Sequence, residues 1–423
     1  MMKKKEIIAC LKANKQISDY EITIKEKDSR ELFYVLRNLQ INRAVKVQNV
    51  TIKVYVSDKK TTGMSTVMLT AADDSATLTE KLKKAVKQAK AAKNAYYPLT
   101  DKTVNLKDNK ASGRDLNAIA LKVADAVFKA DTYKQGWINS TEIFVYETAT
   151  EFLNSNGVDH MSHDFKVEIE CIPTWSNKKE EFELYKFYES NKTDYKGITK
   201  EIDEILKQAR NRSKALNIKD IELPEKLPVL VKDDMIEEIV GYALAYGLSY
   251  RNVYLKQDHY ALNDKVSDNP FDLVLKGSIS GCADSTRFDE HGVILKSRTI
   301  IKDGIVKAHH GDIQFGHYLK ETKISGKMEV AELKAQGSSY KKEPHLIIES
   351  FSAPQLEEDS GYFGGEVRLA MYFDGKKYIP LTGLSISGNI YESLKNVRFS
   401  KEQTVLSDYK GPKYFIFDDI TIS

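Results

Sequence analysis

The residues of this 423-residue chain that could do metal or nucleophilic chemistry are eight histidines, three cysteines and a large stock of carboxylates. Zinc-assisted hydrolysis from a helix needs two imidazoles on one face, and no His-Glu-x-x-His is present. His160 and His163, beside Asp159 and Asp164, could grip a metal from a loop. Nothing nearby completes a tetrahedral set, so a polar turn entering a strand is the simpler reading. His309, His310 and His317 form the other cluster. Adjacent histidines on a strand point to opposite faces, so only one of the first two can join His317. With Asp312 or Asp289 they are the candidates for a stand-alone metal-dependent hydrolase. A serine-nucleophile elbow is missing, and Gly277-Ser-Ile-Ser-Gly281 reads as a strand edge. Gly361-Tyr-Phe-Gly-Gly365 lacks the Lys and Ser/Thr of a phosphate-binding loop and reads as a turn. Lys81, Lys83, Lys84, Lys87, Lys90 and Lys93 could touch the phosphates of a nucleic acid, but at helical spacing they spread around an exposed arc.

The elements that must position these groups change character along the chain. Residues 1–211 hold 5 of the 22 glycines and 2 of the 9 prolines, and residues 212–423 hold the other 17 and 7. Glycine and proline punctuate β-connections, so the pattern predicts an α+β protein with a helix-containing mixed N-terminal half and a strand-rich, mostly antiparallel C-terminal half. Alternation between Asp19 and Val56 predicts about three strands, and further strands are expected at 138–149, 164–173 and 180–189. Apolar residues three or four apart predict helices at 78–93, 114–130 and 199–216. In the second half one helix is expected, over 233–247, capped by Asp233 and Asp234. Asp303-Gly304 and Asp374-Gly375 signal hairpins. The expected domains are 1–216, with 1–100 and 101–216 as possible sub-domains, and 229–423, joined by a proline-containing linker at 217–228.

Composition narrows the function classes. Apolar residues at 41% and charged residues at 30% describe a globular chain, long enough at roughly 150 residues per domain for two or three domains. A net charge of +3 provides no global field for nucleic acid or anionic lipid. Cys10, Cys171 and Cys282 are too few and too scattered for a disulfide framework, which favours a reducing compartment. The apolar run after Lys5 stops at Lys12, too short for a signal peptide, and no later segment is long enough to span a bilayer. A soluble cytoplasmic protein is expected.

From Leu227 onward the chain resembles the TldD/PmbA family, whose members are described as modulators of DNA gyrase and as peptidases. The most specific stretch runs from Gly361 to Asn389, Gly-Tyr-Phe-Gly-Gly-Glu-Val-Arg-Leu-Ala-Met-Tyr-Phe-Asp-Gly-Lys-Lys-Tyr-Ile-Pro-Leu-Thr-Gly-Leu-Ser-Ile-Ser-Gly-Asn. Phe288-Asp-Glu-His-Gly-Val293, Ile301-Lys-Asp-Gly-Ile-Val306 and Phe152-Leu-Asn-Ser-Asn-Gly-Val158 are similar to family turns and hairpins. Gly361, Gly364, Gly365, Gly388 and Asn389 are therefore candidate substrate contacts.

The resemblance implies two kinds of subunit, which differ in one helix. TldD-type members carry His-Glu-x-x-x-His there, the histidines binding zinc and the Glu polarising the attacking water. Laid over that motif, Glu237 and Tyr242 take the histidine positions and Glu238 the Glu position, and residues 228–258 contain no histidine. A carboxylate and a phenol do not make a zinc cage. The chain thus resembles the PmbA or TldE type, which implies a non-catalytic subunit with no cofactor of its own. It would pair with a TldD-type subunit that carries the zinc, or with itself as a homodimer when that partner is missing. Together they would enclose a chamber in which peptides or unfolded chains are cut. Exposed strand edges suit an extended peptide bound by main-chain pairing. Phe182, Tyr185, Phe187 and Tyr188, and Tyr242, Tyr246 and Tyr250, could line such a surface.

Overall fold

The structure, a computed structural model, describes residues 2–58, 60–102, 104–107 and 113–423. Alternating residues between Asp19 and Ser57 form two long strands, Asp19–Val35 and Asn38–Ser57, rather than three short ones. They pair from Asp19 opposite Tyr55 to Val35 opposite Asn38, with one register shift between Phe33 and Tyr34 and no glycine or proline inside either run to stop the ladder. Thr61–Leu69 continues the sheet on one side. Gly136–Asn154 and Asp159–Ser176 continue it antiparallel on the other.

Lys4–Ala13, Ser75–Ala91, Leu116–Ala130 and Tyr195–Arg212 are the helices of this half. Three begin where an aspartate can accept a backbone N–H of the first turn: Asp74 from Thr77, Asp115 from Ala118 and Asp194 from Gly197. Alternation puts every second strand residue on the face these helices cover. Ile22, Val50 and Ile52 meet Ile7, Leu78 and Leu82, and Leu32, Ile143 and Val145 meet Ala120, Val123, Ile198 and Ile202. Each such buried aliphatic side chain contributes about 2 kcal/mol.

The other face of this sheet meets the second half of the chain. Phe152 and Phe288 have ring centroids 6.3 Å apart, and Lys53 reaches Glu290 at 2.7 Å. His291 lies 3.2 Å from both oxygens of the buried Glu21, which also accepts a bond from Tyr55 Oη at 2.8 Å. Burial works against protonation of His291, but the Glu21 carboxylate outweighs it and holds the imidazole above its usual range.

Strands after residue 216 belong to two further sheets, of eleven and six strands among the described residues. Val229–Val231, His345–Phe351, Tyr362–Phe373 and Tyr378–Thr382 run through the larger one. Phe271–Lys276, Arg298–Lys302 and Val330–Ala335 run through the smaller one. Most pairs are antiparallel, and four short contacts, such as Val229–Val231 against His345–Phe351, are parallel. Both sheets give side chains to one core, Val229, Val231 and Leu346 from the first and Phe271, Leu273 and Leu333 from the second. The hairpin at Asp303-Gly304 forms with φ of 52° and 74° at its two turn residues, the left-handed pair that this dipeptide favours. The molecule is thus mixed α+β, with its long helices in the first half.

Two expectations need correction. The second half has more helix than one segment, with Tyr250–Leu255, Ile313–Tyr318 and Ile390–Ser393 added, each only one or two turns and too short to leave a periodic pattern. Asp233 does not cap the helix after it: its φ is 48° and its side chain makes no cap bond. Its carboxylate lies 3.3 Å from the buried Lys232 Nζ, which also meets Glu349 at 2.7 Å. Charge pairing outcompeted capping. No helix of the described residues is long and apolar enough to cross a membrane. Cys10, Cys171 and Cys282 are free thiols, and burial pushes Cys171 and Cys282 up to about 12.

Candidate functional site

The helix laid over the family motif is where the structure opens. Asp234–Glu238 is α-helical, Ile239–Ala245 widens into a π-helix, and Tyr246–Leu248 tightens into a last 3₁₀ turn. Met235, Ile236, Ile239, Val240, Ala243 and Leu244 are buried in the core. Glu237, Glu238, Gly241, Tyr242, Ala245 and Tyr246 turn the opposite way, into a cavity of about 540 Å³. π-Helical segments are rare and concentrate at functional sites. The widening leaves the Ala245 carbonyl to accept a hydrogen bond from His310 Nε2 at 2.7 Å. The remaining walls come from Ser249, Arg251, residues 310–312, residues 327–329, Ser407 and Asp408.

The acidic wall is built from two distant parts of the chain. Glu237 Oε1 accepts from the Ser407 hydroxyl and, at 3.4 Å, from the Asp408 backbone N–H. Burial, then the charge of Glu237, pushes the Asp408 carboxyl up to about 9. Burial also raises Glu237, and burial followed by Asp234 raises Glu238. The two carboxyls therefore hold one proton between them at neutral pH. Gly241 leaves room here, since a Cβ added to it would sit 3.8 Å from Asp408 Oδ2, an ordinary contact. On another wall burial pushes His310 down to about 4, so its imidazole is neutral. Because Nε2 bonds a carbonyl, Nε2 carries the hydrogen and Nδ1 is a lone pair. Nδ1 is buried and has no partner.

Zinc does not fit this donor set. Glu237 already serves Ser407 and Asp408, and a phenol such as that of Tyr242 is a poor zinc ligand beside imidazole or thiolate. Among the described residues no three His, Cys, Asp or Glu side chains come together to hold a metal ion.

The other sequence candidates are placed as follows. Asp312 lines the cavity but caps the helix Ile313–Tyr318 through the Phe315 N–H. His309 is buried with Nε2 unpartnered, and His317 is exposed on that short helix beside Tyr96. Asp289 accepts the backbone N–H groups of His291, Val293 and Lys327. His160 accepts from the Leu106 N–H and lies 3.0 Å from the Gly292 carbonyl, pinning the 288–293 turn. None of Gly361, Gly364, Gly365, Gly388 and Asn389 lines the cavity. Gly364 lies between two paired strands, opposite Gln355 and Ser387, and an added Cβ would come 2.1 Å from the Ile386 carbonyl oxygen. Asn389 caps Ile390–Ser393 through the Tyr391 and Glu392 N–H groups. This segment's glycines serve close strand packing. Tyr242 and Tyr246 line the cavity, whereas Tyr250 is fully buried. Of the helix lysines, Lys81 pairs with Asp73 and Lys83 with Glu80. Sequence reasoning missed Ser407, Asp408 and Arg251; only Gly241, a glycine inside a helix, hinted at something close by.

This geometry sits in the part of the chain that comparison with known proteins recognises. Residues 224–423 match the family model of the PmbA/TldA metallopeptidase C-terminal domain. Over those residues the chain carries a PmbA/TldD-type C-terminal domain. The cavity, the helix Asp234–Leu248 and the Ser407-Asp408 corner all lie inside that PmbA/TldD domain. No curated protein matches the sequence. Among solved structures, TldE from Thermococcus kodakarensis is similar at a TM-score of 0.80 and 15% identity, covering 99% of this chain and 100% of that one. A candidate modulator of a DNA gyrase from Thermotoga maritima follows at 0.76 and 14%, covering 99% of both chains. Another from Bacteroides thetaiotaomicron is similar at 0.78 and 14%, covering 99% of this chain and 98% of that one. At these identities the likeness is one of fold, and it extends over the N-terminal half as well.

Proposed function

We propose that this chain is a TldE-type, non-catalytic subunit of a PmbA/TldD-type peptidase complex, and that its cavity holds a segment of a peptide or unfolded chain. The observation that carries this reading is the helix Asp234–Leu248: it opens onto the cavity where a zinc helix would, yet it presents Glu237, Glu238 and Tyr242 there. The fold likeness to TldE over the full length agrees with it. Glu238 stands where a general base would, but with no metal-bound water to act on its role is electrostatic. The zinc and the cutting belong to a TldD-type partner, with which this chain forms a heterodimer.

Reconstitution tests the reading. The chain, a TldD-type subunit of the family, and their mixture are each incubated with denatured casein and zinc. Cleavage by the mixture well above that of either subunit, abolished by a chelator, is the expected result. Equal cleavage by the TldD-type subunit with and without this chain would refute the partnership.

A further inference from the structure

The cavity walls carry three hydrogen-bond acceptors that nothing among the described residues fills. Asp408 Oδ1 is buried without a partner. His310 Nδ1 is a buried lone pair without a partner, on a side chain only 5% exposed. The Glu238 carboxylate, half-buried on the helix face, makes no ion pair or hydrogen bond among the described residues. The cations on the opposite walls are already engaged, Lys327 with Glu329 at 3.0 Å and Arg251 with the Tyr246 hydroxyl. A buried acceptor left unfilled costs about 1–3 kcal/mol, so the missing ligand must bring donors. Glu238 and the Glu237–Asp408 pair, which keeps one negative charge beside its shared proton, add a requirement for positive charge. A bare metal ion is unsuited, because among the described residues no three His, Cys, Asp or Glu side chains come together to hold one. A primary ammonium has three N–H donors, bonds at about 2.8 Å rather than the roughly 2.1 Å of a metal, and can be followed by backbone N–H groups spread along a cavity.

We propose that the cavity binds the free amino terminus of a peptide, with the ammonium against Glu238, Glu237 and Asp408 and the following main-chain N–H groups toward His310. The proposal rests on the peptide-binding reading above and names which part of the peptide enters. A lysine side chain offers the same ammonium on a longer stem, so the test separates the two sources.

The test uses the full chain and three short, lysine-free or single-lysine alanine-serine peptides carrying a fluorophore at the C-terminus, followed by anisotropy at neutral pH. One has a free amino terminus, one is N-acetylated, and one is N-acetylated with a central lysine. We expect the free terminus to bind about tenfold or more tightly than either acetylated peptide, the gain of one charge-assisted contact set. Glu238→Gln should shrink that ratio to about threefold or less, with circular dichroism and urea unfolding of the variant matching those of the wild type. Equal binding of free and acetylated peptides would overturn the amino-terminal assignment and leave the peptide reading standing. Equal binding of the free and the lysine-containing peptides would move the ammonium from terminus to side chain and likewise overturn it. No binding of any peptide would overturn both.

Discussion

Replacing Asp408 by Asn tests the proton that the acidic corner is built to keep. An Asp unfolded in water titrates near 3.9, whereas in the cavity wall it is pushed up to about 9. A raised folded value means that the native state holds a proton the unfolded chain has lost. Stability from this group is therefore fullest at low pH and declines as pH rises toward the folded value. Between pH 5 and pH 8 the linkage amounts to at most about 1.4 kcal/mol per pH unit, or about 4 kcal/mol in all. Asp408 is only partly buried and faces an open cavity, which screens the pair, so about 2–4 kcal/mol is expected. In Asp408→Asn the amide donates to Glu237 at every pH, and this decline disappears. Urea unfolding of both proteins at pH 5, 6, 7 and 8 should show the variant's advantage growing by that amount. Titrating groups other than Glu237, which shares the proton, cancel in the difference. An advantage that changes by less than about 0.5 kcal/mol across the series would refute the shared proton.

Other consequences follow from the same geometry. His310→Ala strips the Ala245 carbonyl of its donor and should cost about 2 kcal/mol in urea unfolding at pH 7. The wild type should also lose stability as pH falls from about 6.5 toward the folded value near 4, because the buried imidazole resists its proton, and that acid loss should be reduced in the variant. Gly241→Ala adds a methyl at ordinary contact distance inside a helix and should stabilise by about 0.5–1 kcal/mol in thermal unfolding, whereas Gly241→Leu should obstruct the cavity beside Asp408 and weaken peptide binding about tenfold or more in a folded protein, read by fluorescence anisotropy. Gly364→Ala drives a Cβ against the Ile386 carbonyl and should cost more than about 3 kcal/mol or prevent folding, read by circular dichroism of the purified chain.

What could be read from the sequence was whatever local physics decides. The helices Ser75–Ala91, Leu116–Ala130 and Tyr195–Arg212 announce themselves by apolar spacing and by an aspartate at each start. The Asp303-Gly304 hairpin follows from two residues tolerant of positive φ. Asp233 misled for a long-range reason: a buried lysine beside it claimed the carboxylate that would have capped the helix. The candidate site was half legible. The family resemblance singled out Glu237, Glu238 and Tyr242, and all three line the cavity. No local pattern brings Asp408 to Glu237, 171 residues away. The glycines at 361, 364 and 365 read as a turn, whereas Gly364 and Gly365 lie inside the strand Tyr362–Phe373, where neighbouring backbone comes too close for a Cβ.

The most direct test of the account is whether the chain alone can cut a peptide. An unstructured peptide is incubated with the homogeneous protein in the presence and absence of added zinc, and the products are followed by mass spectrometry. The account predicts that the peptide is recovered whole under both conditions. Fragments that require zinc, and that vanish on Glu238→Gln, would contradict it, because the helix that faces the cavity would then be a working metallopeptidase site.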